Sequence, residues 1–330
     1  MFERFLFRSL PAVTAAALLA STSQAVTIET VLVGNPGNAA DDTGYGRVDY
    51  IYNISKYEVT NAQWREFLTA KASVSDPHGL YNEDMGLLYG GIDRTWSNGA
   101  YVYTANDGNS IWDNRPVAYV SYWDVARICN WLHNGQGTAD TDSGAYVNIA
   151  KQETFARQPG AKYVIPTENE WYIAAYYDPN KGGAGVPGYW DYPMMSDIST
   201  DPSNNVTTPD GGNNANFRDT AGHTVGSPYY TTPVGEFELS ESPYGTFDQG
   251  GNLWEWNEAI IFGSYRGLRG GSFGPDVGYL LASDRSFGIS PADESFSSGF
   301  RVATVPEPST FVLLAFGAVA LVAFGWRRRA

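Results

Sequence analysis

The last 26 residues of this chain say where it is expected to lie. Thr310 to Trp326 is a run of 17 residues without a charge, and Arg327-Arg328-Arg329-Ala330 follows at once. At about 1.5 Å per helical residue, such a run only just crosses a hydrocarbon core of roughly 30 Å. Arginines stay on the cytoplasmic side, so everything before the run is expected outside the inner membrane. The other end agrees. Arg4 and Arg8 precede an apolar stretch, Leu10 to Ala20, and Ser23-Gln24-Ala25 offers the small residues a signal peptidase reads. That stretch is too short for a spanning helix. The expected division is a signal peptide over 1–25, one folded domain over 26–304, and an anchor or sorting segment over 305–330.

Composition bounds what the middle can be. The two ends carry five basic and two acidic residues, which leaves 16 basic against 34 acidic, a net charge of −18. Such a surface repels nucleic acid and anionic lipid, and suits cations, solubility and neutral polymers. The single cysteine, Cys129, excludes an intrachain disulfide although the compartment would permit one. Stability must then come from packing, and about 280 residues can bury a large core. With 36 Gly, 18 Pro, 22 Tyr and 10 Trp, the domain reads as loop-rich, its irregular segments pinned by aromatic anchors.

Regular structure is legible in places. Val48 to Ile54 alternates like a strand. Thr60 is a good N-cap for Asn61 to Ala70, and Gln63 completes a capping box. Ser121 caps Tyr122 to His133, where Val125, Ile128, Cys129 and Leu132 share one face. Thr167 caps Glu168 to Tyr177, with Glu170 as a second capping box, and Asp178-Pro179-Asn180 stops it. Short strands are expected around Leu268 to Phe273 and Ser298 to Thr304. Asp191 to Thr231 is too long for a structureless connection, so it is either disordered or organised by something other than a core, such as a metal ion. The fold class is α+β: one loop-rich domain with three helices and short antiparallel strands.

Two resemblances follow from motifs. Val305-Pro306-Glu307-Pro308, the uncharged run and the arginine cluster resemble the PEP-CTERM sorting signal of Gram-negative bacteria, which implies an exosortase-type partner and a transient anchor. Four segments in order resemble the formylglycine-generating, sulfatase-modifying-factor domain, a relative of the C-type lectin fold. They are Lys56 to Trp64, Arg115 to Tyr122, Ile165 to Trp171, and Gly251 to Trp256 with Arg269-Gly270-Gly271-Ser272-Phe273 and Gly299-Phe300-Arg301-Val302. The founding members of that family are copper oxidases with two cysteines after the Gly-Gly-Ser motif. Those positions fall on Pro275 and Leu280 here, neither of which ligates soft Cu(I), so copper and the oxidase activity are not expected. Iron-dependent relatives draw histidines from an extra domain, and His78, His133 and His223 are too scattered to replace them.

The resemblance also implies structural calcium. One site matches Asp248, the carbonyls of Gly251 and Leu253, and Glu255. A second matches Asn216 and the carbonyl of Phe217; its remaining ligand falls near Gly226, with Asp219 as a substitute. Arg269, Arg285 and Arg301 are expected to pair with buried acids such as Glu58 or Glu170, or else to line a cleft for a carboxylate or glycan hydroxyl. Trp123, Trp131, Trp171 and Cys129 read as core. The functional expectation is an exported, non-catalytic binding or structural module of the cell envelope or matrix, with a polysaccharide or peptide ligand and no assigned catalytic residue. The alternatives are an enzyme of the same superfamily with different chemistry, and a maturation role on exported peptides.

Overall fold

The structure is a computed structural model. It describes residues 25–151, 155–199, 202–206 and 211–305. Residues 1–24 of the expected signal peptide and all of the expected membrane run lie outside them.

In chain order the elements are β1 (Thr30–Val33), β2 (Tyr52–Ser55), α1 (Asn61–Lys71), β3 (Ile92–Ser97), β4 (Ala100–Ala105), α2 (Tyr122–His133), β5 (Tyr163–Val164), α3 (Glu168–Tyr176), β6 (Tyr177–Asp178), β7 (Gly188–Tyr189), β8 (Trp254–Ile261), β9 (Tyr265–Arg269), β10 (Ser298–Gly299) and β11 (Ala303–Thr304). The first sheet runs β1-β2-β11-β5 and is antiparallel, with Ala303 opposite both Ile54 and Val164. The second runs β10-β8-β9. Its β10 lies parallel to β8, so not every strand pair is antiparallel as expected. β3-β4 and β6-β7 are separate two-stranded ribbons.

The three helices begin at the expected caps. Thr60, Ser121 and Thr167 each accept the third backbone N–H, and Gln63, Asp124 and Glu170 reach back to the cap. Each such cap stabilises its helix by about 1 kcal/mol. α2 is buried from Tyr122 to Leu132 except at Trp123, which is half-exposed rather than core. Its remaining face packs into one core with Trp64, Phe67, Trp131, Trp256 and Phe300. The buried indoles also tie down irregular chain. Trp64 donates to the Leu80 carbonyl, Trp131 to Gly137 and Trp256 to Val120.

The expected strand at Val48 starts only at Tyr52. Tyr50 turns aside so that its hydroxyl donates to Glu170 at 2.6 Å. Leu268 to Phe273 is strand only as far as Arg269, because Gly270 and Gly271 turn the chain through positive φ. Ser298 to Thr304 is broken into β10 and β11, since Phe300, Arg301 and Val302 leave one sheet and enter the other. In the described part of Asp191–Thr231, backbone bridges organise the chain: Ser203 with Asn214, Asn216 with Gly251, and Arg218 with His223.

Candidate functional site

Two neighbourhoods meet at the Gly251 and Gly270 turns. Gly251 has φ 87°, and a Cβ there would stand 2.2 Å from the Asn216 carbonyl oxygen, so only glycine fits. Gly270, at φ 97°, is as closely confined by the Gln249 carbonyl oxygen at 2.7 Å. These approaches bring the 248–256 turn, the 216 segment and the Ser272 stretch together.

The first neighbourhood is a buried charge cluster. Arg301 donates Nε and Nη2 to the two oxygens of Glu255, at 2.6 and 2.7 Å, and also binds the carbonyls of Ser55 and Phe247. Trp171 adds a third bond to Glu255 at 2.7 Å. Glu58 accepts from Asn252 Nδ2 at 2.7 Å and Leu253 N at 3.1 Å. Half-buried Asp248 accepts from Gly235 N at 2.6 Å. Burial pushes the Asp248 carboxyl up to about 6. Burial, then Asp248 and Glu255, push Glu58 well above the carboxylate range.

These pairings correct the expected ones. Arg301 meets Glu255 and not Glu58. Arg269 and Arg285 both meet Glu168, at 2.8 and 2.7 Å, while Glu170 is held by Arg157. The arginines are therefore structural, as the blander expectation had it.

The cluster bears on a cation. Three carboxyl groups, Glu58, Asp248 and Glu255, lie around one guanidinium; burial and its acidic neighbours hold Glu58 toward its neutral form, and a bound cation would draw it back to the anion. A void of about 10 Å³, near the size of one water or ion, lies beside Asp248 and is lined by Asn214, Ser240, Thr246 and Gln249. Glu255 is already engaged by Arg301. Among the described residues, no three His, Cys, Asp or Glu side chains converge into a cage on their own, so carbonyl ligands such as Gly251 and Leu253 would be needed. At the second expected site, Asn216 donates Nδ2 to Tyr230 and Asn252 while its Oδ1 is buried without a partner, which suits a cation ligand. The Phe217 carbonyl accepts from Thr224 at 2.9 Å. Asp219 closes its own turn onto Ala221 and Gly222.

The second neighbourhood is the stretch after Ser272. Pro275 is half-buried, and Leu280 is fully buried among Tyr192, Met194, Ala215 and Phe217. Cys129 lies elsewhere, buried in α2, where burial pushes its thiol well up. Above the stretch stands an aromatic surface that sequence reasoning missed. Tyr89 stacks on Phe273 at 5.6 Å and meets Tyr230 at 4.7 Å and Phe296 at 4.9 Å. His223 stands edge-on to Tyr230 at 5.1 Å, with Nδ1 at 3.1 Å from the Phe273 carbonyl. Tyr89, Tyr119 and Tyr230 hold φ of 69°, 60° and 57°, a left-handed backbone that costs a bulky residue energy. Tyr119 is tied in by its N–H to Ser295 and its hydroxyl to Leu88. The Ser272 hydroxyl below is buried and unpartnered. No helical or alternating pattern marks these tyrosines; the adjacent Tyr229-Tyr230 was the only hint. The histidines stay apart, His78 facing Asp142 at 3.4 Å and His133 accepting from Lys162 N. A separate cleft of about 550 Å³ lies between β1, β2 and the start of α1, beside Tyr57, Gln63 and Val234.

Three capped helices, two small sheets and long pinned loops around a Gly-Asn-x-Trp-Glu-Trp turn define a loop-rich α+β domain. Residues 29–305 match the family described as the sulfatase-modifying factor enzyme 1-like domain, and the chain belongs to that family. Residues 304–329 match the PEP-CTERM protein-sorting motif. The hercynine oxygenase of Mycolicibacterium smegmatis is 23% identical over 275 residues, 76% of this chain and 52% of that protein. The formylglycine-generating enzyme of Mycobacterium tuberculosis is 27% identical over 222 residues, 65% of this chain and 66% of that enzyme. The chain thus spans only half to two thirds of these relatives. Among solved structures, Treponema denticola variable protein 1 aligns over 86% of this chain and 98% of its own, at 20% identity and a TM-score of 0.49.

Proposed function

We propose that this protein is an exported, non-catalytic binding module, held at the cell envelope by its C-terminal segment while exosortase-type machinery processes it. The observation that carries the reading is the pair Pro275 and Leu280. They stand where the resemblance puts the copper-binding cysteines, and the chain's single cysteine is buried in a helix. In place of a thiolate pair the surface offers Tyr89, Tyr230 and Phe296, packed over buried Phe273, a set of faces suited to stacking on a sugar ring or an apolar peptide side chain. Its strained tyrosine backbones are the kind of cost that persists where a surface has a task. The sorting motif and the acidic surface agree with work outside the cytoplasm on an uncharged polymer.

The reading includes structural calcium at Asp248, Gly251, Leu253 and Glu255, and a second ion at Asn216 and Phe217. The convergence of Glu58, Asp248 and Glu255 supports the first and the unpartnered Asn216 Oδ1 supports the second. When bound, the ion would supply charge balance and turn closure, not chemistry on a substrate.

The test uses the purified Val26–Thr304 domain. With Cu(I), oxygen and a sulfatase-type cysteine peptide, mass spectrometry should find no formylglycine above a control without protein. Titration against exported polysaccharides and peptides should find a ligand whose binding is lost in Tyr89→Ala. Turnover of the peptide would overturn the reading.

A further inference from the structure

Phe262 and Phe287 are 81% and 84% exposed, the two barest aromatic side chains among the described residues. Phe262 sits in the three-residue turn joining β8 and β9, at φ 47°. A bulky residue takes that left-handed backbone only at a cost, and no burial offsets it. Phe287 lies on a segment that runs back along β9, where Arg266 and Ile289 exchange backbone hydrogen bonds of 2.9 and 3.2 Å. Gly288 rests on Ile261, since a Cβ there would stand 3.1 Å from Ile261 Cβ. Each phenylalanine is one residue from that contact, so the two emerge near one corner, with Ile260 (51% exposed) on one face of the hairpin end and Tyr265 (45%) on the other. The two stretches that form the corner carry no charge of their own. No charged residue lies between Glu258 and Arg266, or between Arg285 and Asp293, in a domain of net charge −18.

The corner is also near the place where the chain leaves the domain. Val305 N donates to the Lys162 carbonyl; Pro166, four residues on, accepts from Glu258 N; and Phe262 is four residues beyond Glu258. At about 3.4 Å per extended residue and about 5 Å for each of the two hydrogen-bonded crossings, the corner is at most roughly 37 Å from Val305. The five residues from Val305 to Thr310 span at most about 17 Å. A domain tilting on that tether would bring the corner to a bilayer holding the uncharged run.

We propose that Phe262, Phe287, Ile260 and Tyr265 form a membrane foot that enters the headgroup region of a zwitterionic bilayer beside the chain's own C-terminal segment. The proposal rests on the reading of that segment as an anchor. Aromatic side chains suit the water–lipid boundary. A corner formed by uncharged stretches on an acidic body favours neutral over anionic headgroups. The short tether keeps the foot at high local concentration over lipid, so two exposed phenylalanines suffice where they would not hold an untethered protein.

The test labels the full-length chain in phosphatidylcholine vesicles. Cys129 is buried and its thiol is pushed up, so a Ser264→Cys variant takes an environment-sensitive fluorophore at the corner alone. A Ser97→Cys variant, on the exposed end of β3, is the control. The chain should float with vesicles. The probe at 264 should shift to the blue and be quenched several-fold more by headgroup spin-labelled lipid than the probe at 97. Adding Phe262→Ser and Phe287→Ser should abolish the difference without altering thermal unfolding. A floating chain whose probe at 264 stays as wet as that at 97 overturns the foot and leaves the anchor standing. A chain that does not float overturns the anchor and the foot together. A blue shift that follows protein concentration rather than lipid assigns the corner to a second copy and overturns the lipid assignment.

Discussion

Arg301 is fully buried and spends its fork on Glu255, with its remaining donors on the backbone of β2 and of Phe247. It thereby ties the last strands, the 248–256 turn and the first sheet at one point. Removing the guanidinium strands Glu255 next to Asp248 and Glu58. Arg301→Met should therefore cost about 3–5 kcal/mol, a large part of a domain's total stability. Urea unfolding would measure this, and an unchanged midpoint would mean that the pair is dispensable. That an arginine would be held here by an acid was legible from its position near the C-terminal strands. Which acid was not, because Glu58, Glu168, Glu170 and Glu255 are alike in sequence and the fold alone distributes them.

The helices were the most legible elements, for a local reason: a cap and its third residue are neighbours in the chain. The boundaries of α1, α2 and α3 fall within one residue of expectation. The β3-β4 ribbon was not foreseen, since its pairing is set by a turn, whereas a strand at Trp254-Glu255-Trp256 was expected and opens β8. The α2 cap has a further property. Asp124 accepts from Ser121 N at 3.0 Å and from the Ser121 hydroxyl, with Arg127 only at 3.9 Å and Glu294 adding repulsion. Burial pushes its carboxyl up to about 7, against about 3.9 for an unfolded chain. Between those values the folded state binds more protons than the unfolded state, so this group's contribution to stability falls as pH rises through the window. Asp124→Asn removes the titrating group. Urea midpoints of wild type should fall relative to the variant between pH 4 and pH 7, and parallel curves would contradict the assignment.

At the scale of the molecule, calcium and the tail each carry a prediction. An ion that binds only the folded state adds about 2.7 kcal/mol at a hundredfold excess over its dissociation constant. Chelator should thus lower the thermal midpoint of wild type clearly and that of Glu255→Gln much less. Identical wild-type midpoints with and without chelator would mean that the polypeptide alone closes the turn. Replacing Arg327, Arg328 and Arg329 by neutral residues should reduce retention at the inner membrane, read by fractionation, because the positive-inside signal is gone. Unchanged processing and surface delivery would contradict the anchor. One feature of the first sheet also sets a timetable. β11 is inserted between β2 and β5, and its last residue, Thr304, adjoins the sorting tail directly. The central strand is therefore the last to emerge from any export channel that threads the chain from its N-terminus. Until then β2 and β5 have no shared partner, and the longest loop in the fold cannot close. Threaded in that direction, the domain would stay unfinished for the whole of translocation. On that order of emergence its sheet would close only as the tail follows, which would couple the end of folding to the start of sorting.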